Sequence, residues 1–381
     1  MEKIVKIGID AMRYKAEQPT GVEWYSYYLL NQLLPMMGRD HHKEFMLYTK
    51  PGTEFKEELP FNVKQVNIPY VKIWTMLRFS LEMIFKPVNT FFVPSHVFPL
   101  IIPKKAIITI HDVAFKEPKL ASSYTNKQRF MMDFHTKRAV RKAYKIIVPS
   151  QATKDDLIKY YNCPEDKIKV IYHGGPDVSG DKNPAILKWN SEEKKKILDK
   201  MGLKEEQLII LYVGRIETKK NLVNLVTAFK RFSLEFPGWK LVLAGKNGVG
   251  HEQILNKINE LELQESVILT GYITENEKRF LLDKCRIFAF PSLYEGFGLP
   301  ILEAFAFRRP VLTSKTSSMP EIAGKAAFLA DPEKVEELSV GLKRLASDGM
   351  YISRLIREGE EQLKKFSWEK TAKETAEIVF E

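Results

Sequence analysis

A chain of 381 residues exceeds what one core usually serves and predicts two domains, and its 44% hydrophobic and 28% charged residues suit an ordinary soluble globular protein. No segment reaches 18 apolar residues without a charge, which excludes a helical membrane span, and Cys163 and Cys285 lie too far apart for metal-like spacing or a disulfide framework. The net charge of +11 is concentrated in residues 72–145, where 14 Lys or Arg face Glu82, Asp112, Glu117 and Asp133, a local excess of +10.

Taken in chain order, Lys3 to Asp10 reads as a strand rather than a secretion signal, so a cytoplasmic protein is expected. A loop from Ala11 to Thr20 follows, and Gly21 opens a helix running to about Pro35. Further strands are predicted at 44–49, 63–68, 90–94, 106–111, 145–149 and 168–172, with helices at about 73–86, 123–143 and 151–161. This alternation predicts a doubly wound parallel sheet without the G-x-G-x-x-G fingerprint, which disfavours an ordinary dehydrogenase. The helix within Val71 to Lys86 places Ile73, Leu77, Leu81 and Ile84 on one face, with Trp74, Phe79 and Phe85 beside it. That pattern fits two arrangements, a seat on an anionic membrane surface or a core helix with a solvated rim.

The first domain is assigned to residues 1–178 and an interdomain connection to 179–206, the charged helical run SEEKKKILDK included. A second α/β domain follows over 207–365. Its strands are expected at 208–213, 240–244, 267–270, 287–291, 310–313 and 326–329, and its helices at 221–236, 252–263, 275–284 and 335–347. The amphipathic tail, 366–381, comes after that domain is complete.

The stretch Arg286 to Phe307, RIFAFPSLYEGFGLPILEAFAF, joins an apolar strand, a glycine-bearing loop and a helix start around Glu295 and Glu303. Pro300 suits a first helical turn, and the exposed amides of such a turn, with the positive end of the helix dipole, bind anions such as diphosphate. Gly214 and Arg215, with Lys220 five residues further, sit where a strand ends and a helix begins, the place where open α/β sheets bind ligands. His111 and Asp112 close another apolar strand, Gly21 opens a helix, and Tyr272 and Ile273 follow Gly271 in a strand-end turn.

E-G-F-G-L-P-x-x-E at 295–303 resembles the E-x7-E signature of retaining nucleotide-sugar glycosyltransferases, notably glycosyltransferase family 4 with the GT-B fold. Arg215 to Lys220 resembles that family's G-R-x4-K motif, His111-Asp112 its H-D motif, Gly21 a reduced form of its glycine loop, and Thr270 to Ile273 its T-G-x-[IV] stretch. The resemblance implies two Rossmann-like domains facing a central cleft, with residues 366–381 crossing back onto the first. It implies a hexosyltransferase in which Arg215 and Lys220 hold the donor diphosphate with backbone at Gly214, Phe297, Gly298 and Leu299. Glu303 then meets the ribose, Tyr272 and Ile273 the base, His111 the sugar, and Glu295 lies beside the reacting carbon; Asp112 orients the His111 loop or ring. No metal or other cofactor is expected. The donor is a nucleotide sugar, GDP-mannose before a UDP-sugar because His111-Asp112 is similar to mannosyltransferase members. The acceptor is a glycan or lipid-linked glycan, reached through a peripheral contact of residues 72–145 with an anionic membrane, and nucleic acid is not expected as a partner. A nucleotide-sugar epimerase of the same architecture and a non-catalytic nucleotide-sugar-binding protein are the alternatives.

Overall fold

A computed structural model describes residues 4–15, 21–68, 72–178 and 189–381, and for 72–76 the backbone alone. The expected strand start at Lys3, the Pro19-Thr20 part of the glycine loop, the Ile73 and Trp74 side chains and the first part of the connection lie outside the described residues. The chain divides into two compact units, one of residues 1–116, 126–174 and 366–381, the other of 117–125 and 175–365.

In the first unit seven parallel strands form one sheet. They are β1 (Val5–Asp10), β2 (Lys43–Thr49), β3 (Val63–Asn67), β4 (Thr90–Val93), β5 (Lys105–Thr109), β6 (Lys145–Val148) and β7 (Ile168–Val170), in the order β3-β2-β1-β4-β5-β6-β7. Their central members are mostly apolar because a parallel sheet is covered on both faces; Phe91, Phe92 and Val93 of β4 are wholly buried. The helices are α1 (Gly21–Arg39), α2 (Lys72–Phe85), α3 (Asn126–Lys142) and α4 (Gln151–Tyr161). α1 does not stop at Pro35, as the sequence suggested, but continues to Arg39. Leu33, Leu34 and Met37 are buried on both sides of the proline, and that packing offsets the roughly 3 kcal/mol an interior proline costs. The C-terminal helix, Trp368–Val379, packs on α1 in this same core, with Ala372 and Val379 fully buried and Thr371 Oγ1 donating to the Tyr172 carbonyl at 2.7 Å.

The second unit begins with α5 (Ser191–Met201) and continues with β8 (Ile209–Val213), α6 (Leu222–Ser233), β9 (Lys240–Ala244), α7 (His251–Glu260), β10 (Val267–Gly271) and α8 (Glu275–Lys284). It is completed by β11 (Ile287–Phe290), α9 (Leu299–Ala306), β12 (Val311–Ser314), α10 (Met319–Ala323), β13 (Ala327–Ala330), α11 (Val335–Ser347) and α12 (Gly349–Leu363). All pairings are parallel and the order is β10-β9-β8-β11-β12-β13. β8 to β10 are laid down in one direction, and β11 then returns to the other side of β8. The switch point therefore lies between the carboxyl ends of β8 and β11, where doubly wound sheets bind ligands.

The observed units place the first boundary at Gly174 and Gly175 rather than at residue 178. A Cβ on Gly174 would come within 2.3 Å of the Trp368 amide, whereas one on Gly175 would meet Leu363 at 2.7 Å. Residues 189–206, expected as a connection, belong to the second unit, because α5 buries Ile197, Leu198 and Met201 and pairs Lys200 with Glu277 of α8 at 2.5 Å. α12 was not expected from the sequence. It starts on Asp348, whose carboxylate accepts from the Tyr351 amide at 2.9 Å, and its Gly359 allows close approach to Phe305 of α9. No described helix is long and apolar enough to cross a membrane.

Candidate functional site

In the second unit the two halves of the sequence motif meet at the switch point. The chain leaving β8 runs beside the segment after β9: the Gly214 amide donates to the Ala244 carbonyl at 2.9 Å and the Ile216 amide to the Lys246 carbonyl at 2.9 Å. Buried Tyr212 on β8 donates its hydroxyl to the Arg215 carbonyl at 2.9 Å, fixing the backbone that carries the guanidinium, which stands 63% exposed. Thr218–Lys220 then forms one 3-10 turn, ended by Asn221 in the left-handed conformation, φ 59°. This turn swings Lys220 over the end of β11. Its ammonium lies 5.5 Å from the centre of the Phe290 ring and 2.5 Å from Glu295 Oε1, and the Leu293 amide donates to the Lys219 carbonyl at 2.9 Å.

The loop carrying Glu295 ends at Gly298, which caps α9 in a left-handed conformation, φ 110°, that favours glycine. Gly298 brings no capping side chain, and Pro300 sits in the first turn. The loop is held by hydroxyls that the sequence reading passed over. Thr313 Oγ1 donates to the Phe290 carbonyl at 2.8 Å, Ser314 Oγ to Ser292 at 2.7 Å and Thr316 Oγ1 to Leu293 at 3.2 Å. Ser317 Oγ donates to the Glu295 carbonyl at 2.6 Å, and Ser318 Oγ lies 2.9 Å from that carbonyl and 2.8 Å from that of Phe297. With its carbonyls tied toward β12, the loop is a preorganised frame. The run T-S-K-T-S-S after a buried strand is the signal, since so many hydroxyls there need backbone partners. Ser318→Ala, which removes one hydroxyl donor shared by the Glu295 and Phe297 carbonyls, should destabilise the protein by about 1 kcal/mol. The check is a lower urea midpoint at unchanged m-value.

Glu303 and Glu295 are separated by their partners. Glu303 on α9 accepts from Lys278 Nζ of α8 at 2.6 Å, and Lys278 also pairs with Glu275 at 3.0 Å. Burial raises the Glu303 carboxyl above the usual range, with Lys278 pulling the other way. Burial also opposes the charge on Lys278, but Glu303 and Glu275 outweigh it and hold the ammonium above the ordinary lysine range. Lys278 is a second residue that motif reading missed, marked only by its i, i+3 spacing to Glu275. Tyr272, after β10, is exposed with Lys246 Nζ 4.5 Å from its ring centre, while Ile273 is buried.

In the first unit the corresponding switch lies between β1 and β4. His111, after β5, is buried, with Nε2 3.1 Å from the Pro94 carbonyl and its backbone amide donating to His96 Nε2 at 3.1 Å. A carbonyl only accepts, so Nε2 carries the proton and Nδ1 is the ring's acceptor. Burial, then the neighbouring His96, pushes the ring down to about 3, so it is neutral at physiological pH. Tyr25 meets it edge-on at 4.8 Å. Asp112 Oδ1 accepts from the Ala114 amide at 3.1 Å and shapes the next turn. Among the described residues nothing lies within 4 Å of where a Cβ on Gly21 would stand. Asp10, at the end of β1, is a buried carboxyl whose desolvation raises it to about 6, a feature no motif marked.

Two parallel doubly wound α/β units are the architecture of the GT-B fold. Sucrose-phosphate synthase from Thermosynechococcus elongatus has this fold, with a TM-score of 0.73 at 17% identity over 99% of this chain and 98% of that one. The glycosyl transferases group 1 model matches residues 193–362 and the glycosyltransferase family 4 model residues 19–175. O-antigen chain mannosyltransferase B of Escherichia coli is 30% identical over 276 residues, 71% of this chain and 69% of that protein. The serotype-specific mannosyltransferase WbdA of Escherichia coli is 29% identical over 282 residues, again 71% of this chain but only 33% of that longer protein. The chain belongs to glycosyltransferase family 4.

Proposed function

We propose that the protein transfers a hexose, mannose before others, from a nucleotide sugar to a growing glycan or lipid-linked glycan, with retention at the anomeric carbon. The observation that carries this is the Lys220–Glu295 pair at the β8/β11 switch point, beside the Gly298 start of α9. Arg215 and Lys220 would clamp the diphosphate, with backbone at Gly214, Phe297, Gly298 and Leu299 completing the cradle. Glu303, oriented by Lys278, would accept from the ribose hydroxyls, and Tyr272 and Ile273 would flank the base. Glu295 would lie beside the reacting carbon, and neutral His111, supported by the Asp112 loop, would bind the sugar hydroxyls. As the bond to the diphosphate oxygen breaks, the acceptor oxygen bonds to the same face and its proton passes to the departing phosphate oxygen. The protein's part is positioning and stabilising the leaving charge. Arg215 and Lys220 supply that charge, so no metal is assigned. The mannosyltransferase names of two relatives support the preference for mannose, and the O-antigen chain in one of those names supports a polysaccharide acceptor.

The test is nucleoside diphosphate release from GDP-mannose and from a panel of UDP-sugars, with and without a glycan acceptor and with EDTA, and the anomeric configuration of the product read by NMR. Acceptor-dependent release, unchanged by EDTA, with a retained configuration is expected. Release with epimerised sugar, or nucleotide-sugar binding without release under any condition, would overturn the proposal.

A further inference from the structure

Lys220 is presented by a turn with no core of its own. None of Thr218, Lys219 and Lys220 is buried, so ties to the surroundings decide where the turn stands. Two of them hold its start and middle: the Thr218 amide donates to the Val249 carbonyl at 2.9 Å, and the Lys219 carbonyl accepts from Leu293. A third grips its end. Asn221, only 7% exposed, donates its side-chain amide to the Pro332 carbonyl at 2.6 Å, and Asn224, about one turn further along α6, donates to the same oxygen at 3.0 Å. Glycine meets a left-handed φ with less strain than asparagine, so the backbone of residue 221 does not by itself require this side chain.

The carbonyl that Asn221 grips is itself held. Pro332 lies in the turn Asp331–Lys334 between β13 and α11, closed by the Lys334 amide donating to the Asp331 carbonyl at 3.0 Å and the Glu333 amide to Asp331 Oδ1 at 3.1 Å. The Asp331 amide donates to Glu337 Oε2 at 2.7 Å and so anchors the turn to α11. Glu333 pairs with Lys119 at 2.5 Å. Lys119 belongs to residues 117–125, which lie in the second unit although the chain on either side of them lies in the first. They form a 3-10 helix, Pro118–Ser123, with Leu120 wholly buried, and this helix lies against the Thr218–Lys220 turn.

We propose that the Asp331–Lys334 turn and residues 117–125 together position Lys220: the first fixes Asn221, and the second, pinned to the first by Lys119, backs the turn that carries the ammonium. A lysine ammonium is a compact charge on a flexible stem, so its aim depends on where its backbone is held. Asn221 and Lys119 are thus positioning residues that act on the donor through Lys220. The inference rests on the reading that Lys220 holds the donor diphosphate. Residues 117–125 follow shortly after His111-Asp112, so the chain runs from the proposed sugar-binding loop directly into the support of the diphosphate clamp.

Isothermal titration of the full chain with GDP, and with UDP as second probe, tests this beside thermal melting. Asn221→Gly tolerates φ 59° and leaves Pro332 its Asn224 donor, so the melting temperature should change little while nucleotide affinity falls about tenfold. Lys119→Glu and Glu333→Lys should each weaken binding about two- to fivefold, and the two combined should restore it. These two positions are exposed, so they read the inference even where Asn221→Gly melts early. In a Lys220→Ala background, Asn221→Gly and Lys119→Glu should weaken binding no further. Unchanged affinity in Lys220→Ala would overturn the diphosphate reading and this inference with it. A loss in Lys220→Ala with unchanged binding in either Asn221→Gly or Lys119→Glu, or losses that persist in the Lys220→Ala background, would overturn the positioning role alone.

Discussion

Glu295→Ala should lower turnover by about 10²–10³-fold while the free nucleoside diphosphate binds at least as tightly as to the wild type. The opposite signs follow from the Lys220–Glu295 pair, whose members are both largely buried, at 12% and 13% exposure. Glu295 neutralises the Lys220 ammonium proposed to hold the diphosphate, so under that proposal the carboxylate and the phosphate compete for Lys220. Removing the carboxylate ends that competition, and the diphosphate gains a cation already desolvated against Phe290. The same change removes the one acidic group the motif sets beside the reacting carbon, so transfer falls. Loop collapse is a weak rival, because Ser317 and Ser318 grip the main chain of residue 295, which alanine retains. Isothermal titration with the nucleoside diphosphate, set beside steady-state kinetics of the same preparation, reads both effects. If affinity falls together with turnover, Glu295 supports the loop rather than the reaction.

The parts of this site that the sequence disclosed are those in which one short stretch carries its own geometry. Gly298 before Pro300 announces a helix start, and Arg215 with Lys220 announces a strand-end loop, because strand, turn and helix are local. What stayed hidden depends on strand order. Lys220 and Glu295 are 75 residues apart, and only the return of β11 to the side of β8 puts them together. The hydroxyls from Thr313 to Ser318 look like ordinary polar loop until β12 is known to lie beside β11. Lys278 looks like a surface lysine until α8 and α9 are known to be neighbours. For α2 the periodicity grouped Leu77, Leu81 and Ile84, which share the exposed face, but set Phe79, which is buried, beside them and did not give that face's direction. Burial of Glu82 between Arg78 and Lys86 decides that, and a buried glutamate is not a choice that composition predicts. α12 escaped because Gly349, Gly359 and a dense run of charges dilute its apolar positions, of which Leu355 and Leu363 are the buried ones.

Gly245→Ala should cost about 3 kcal/mol or more, a large effect for adding one methyl group. Gly245 follows β9 at φ 151°, and a Cβ there would lie 1.9 Å from the Gly214 carbonyl oxygen and 2.7 Å from its carbon. Both obstacles are backbone, so no change of rotamer relieves them. The ends of β8 and β9 would have to part, straining the bonds from the Gly214 amide to Ala244 and from the Gly245 amide to Gly271, each 2.9 Å. Gly214 is itself confined, because a Cβ on it would stand 2.5 Å from the Tyr212 hydroxyl that fixes the Arg215 carbonyl. The two glycines thus let two strand ends approach closely at the point where the proposed diphosphate clamp begins. The motif names Gly214 but gives no sign of Gly245, whose partner is 31 residues away in sequence. Hydrogen exchange of the β8, β9 and β10 amides, with a chemical unfolding curve, measures the effect. Accelerated exchange concentrated at these strand ends and a weakened affinity for nucleoside diphosphate are expected together. Wild-type exchange there would mean that the two backbones separate without cost, and that the close approach does not hold the Arg215 loop in place.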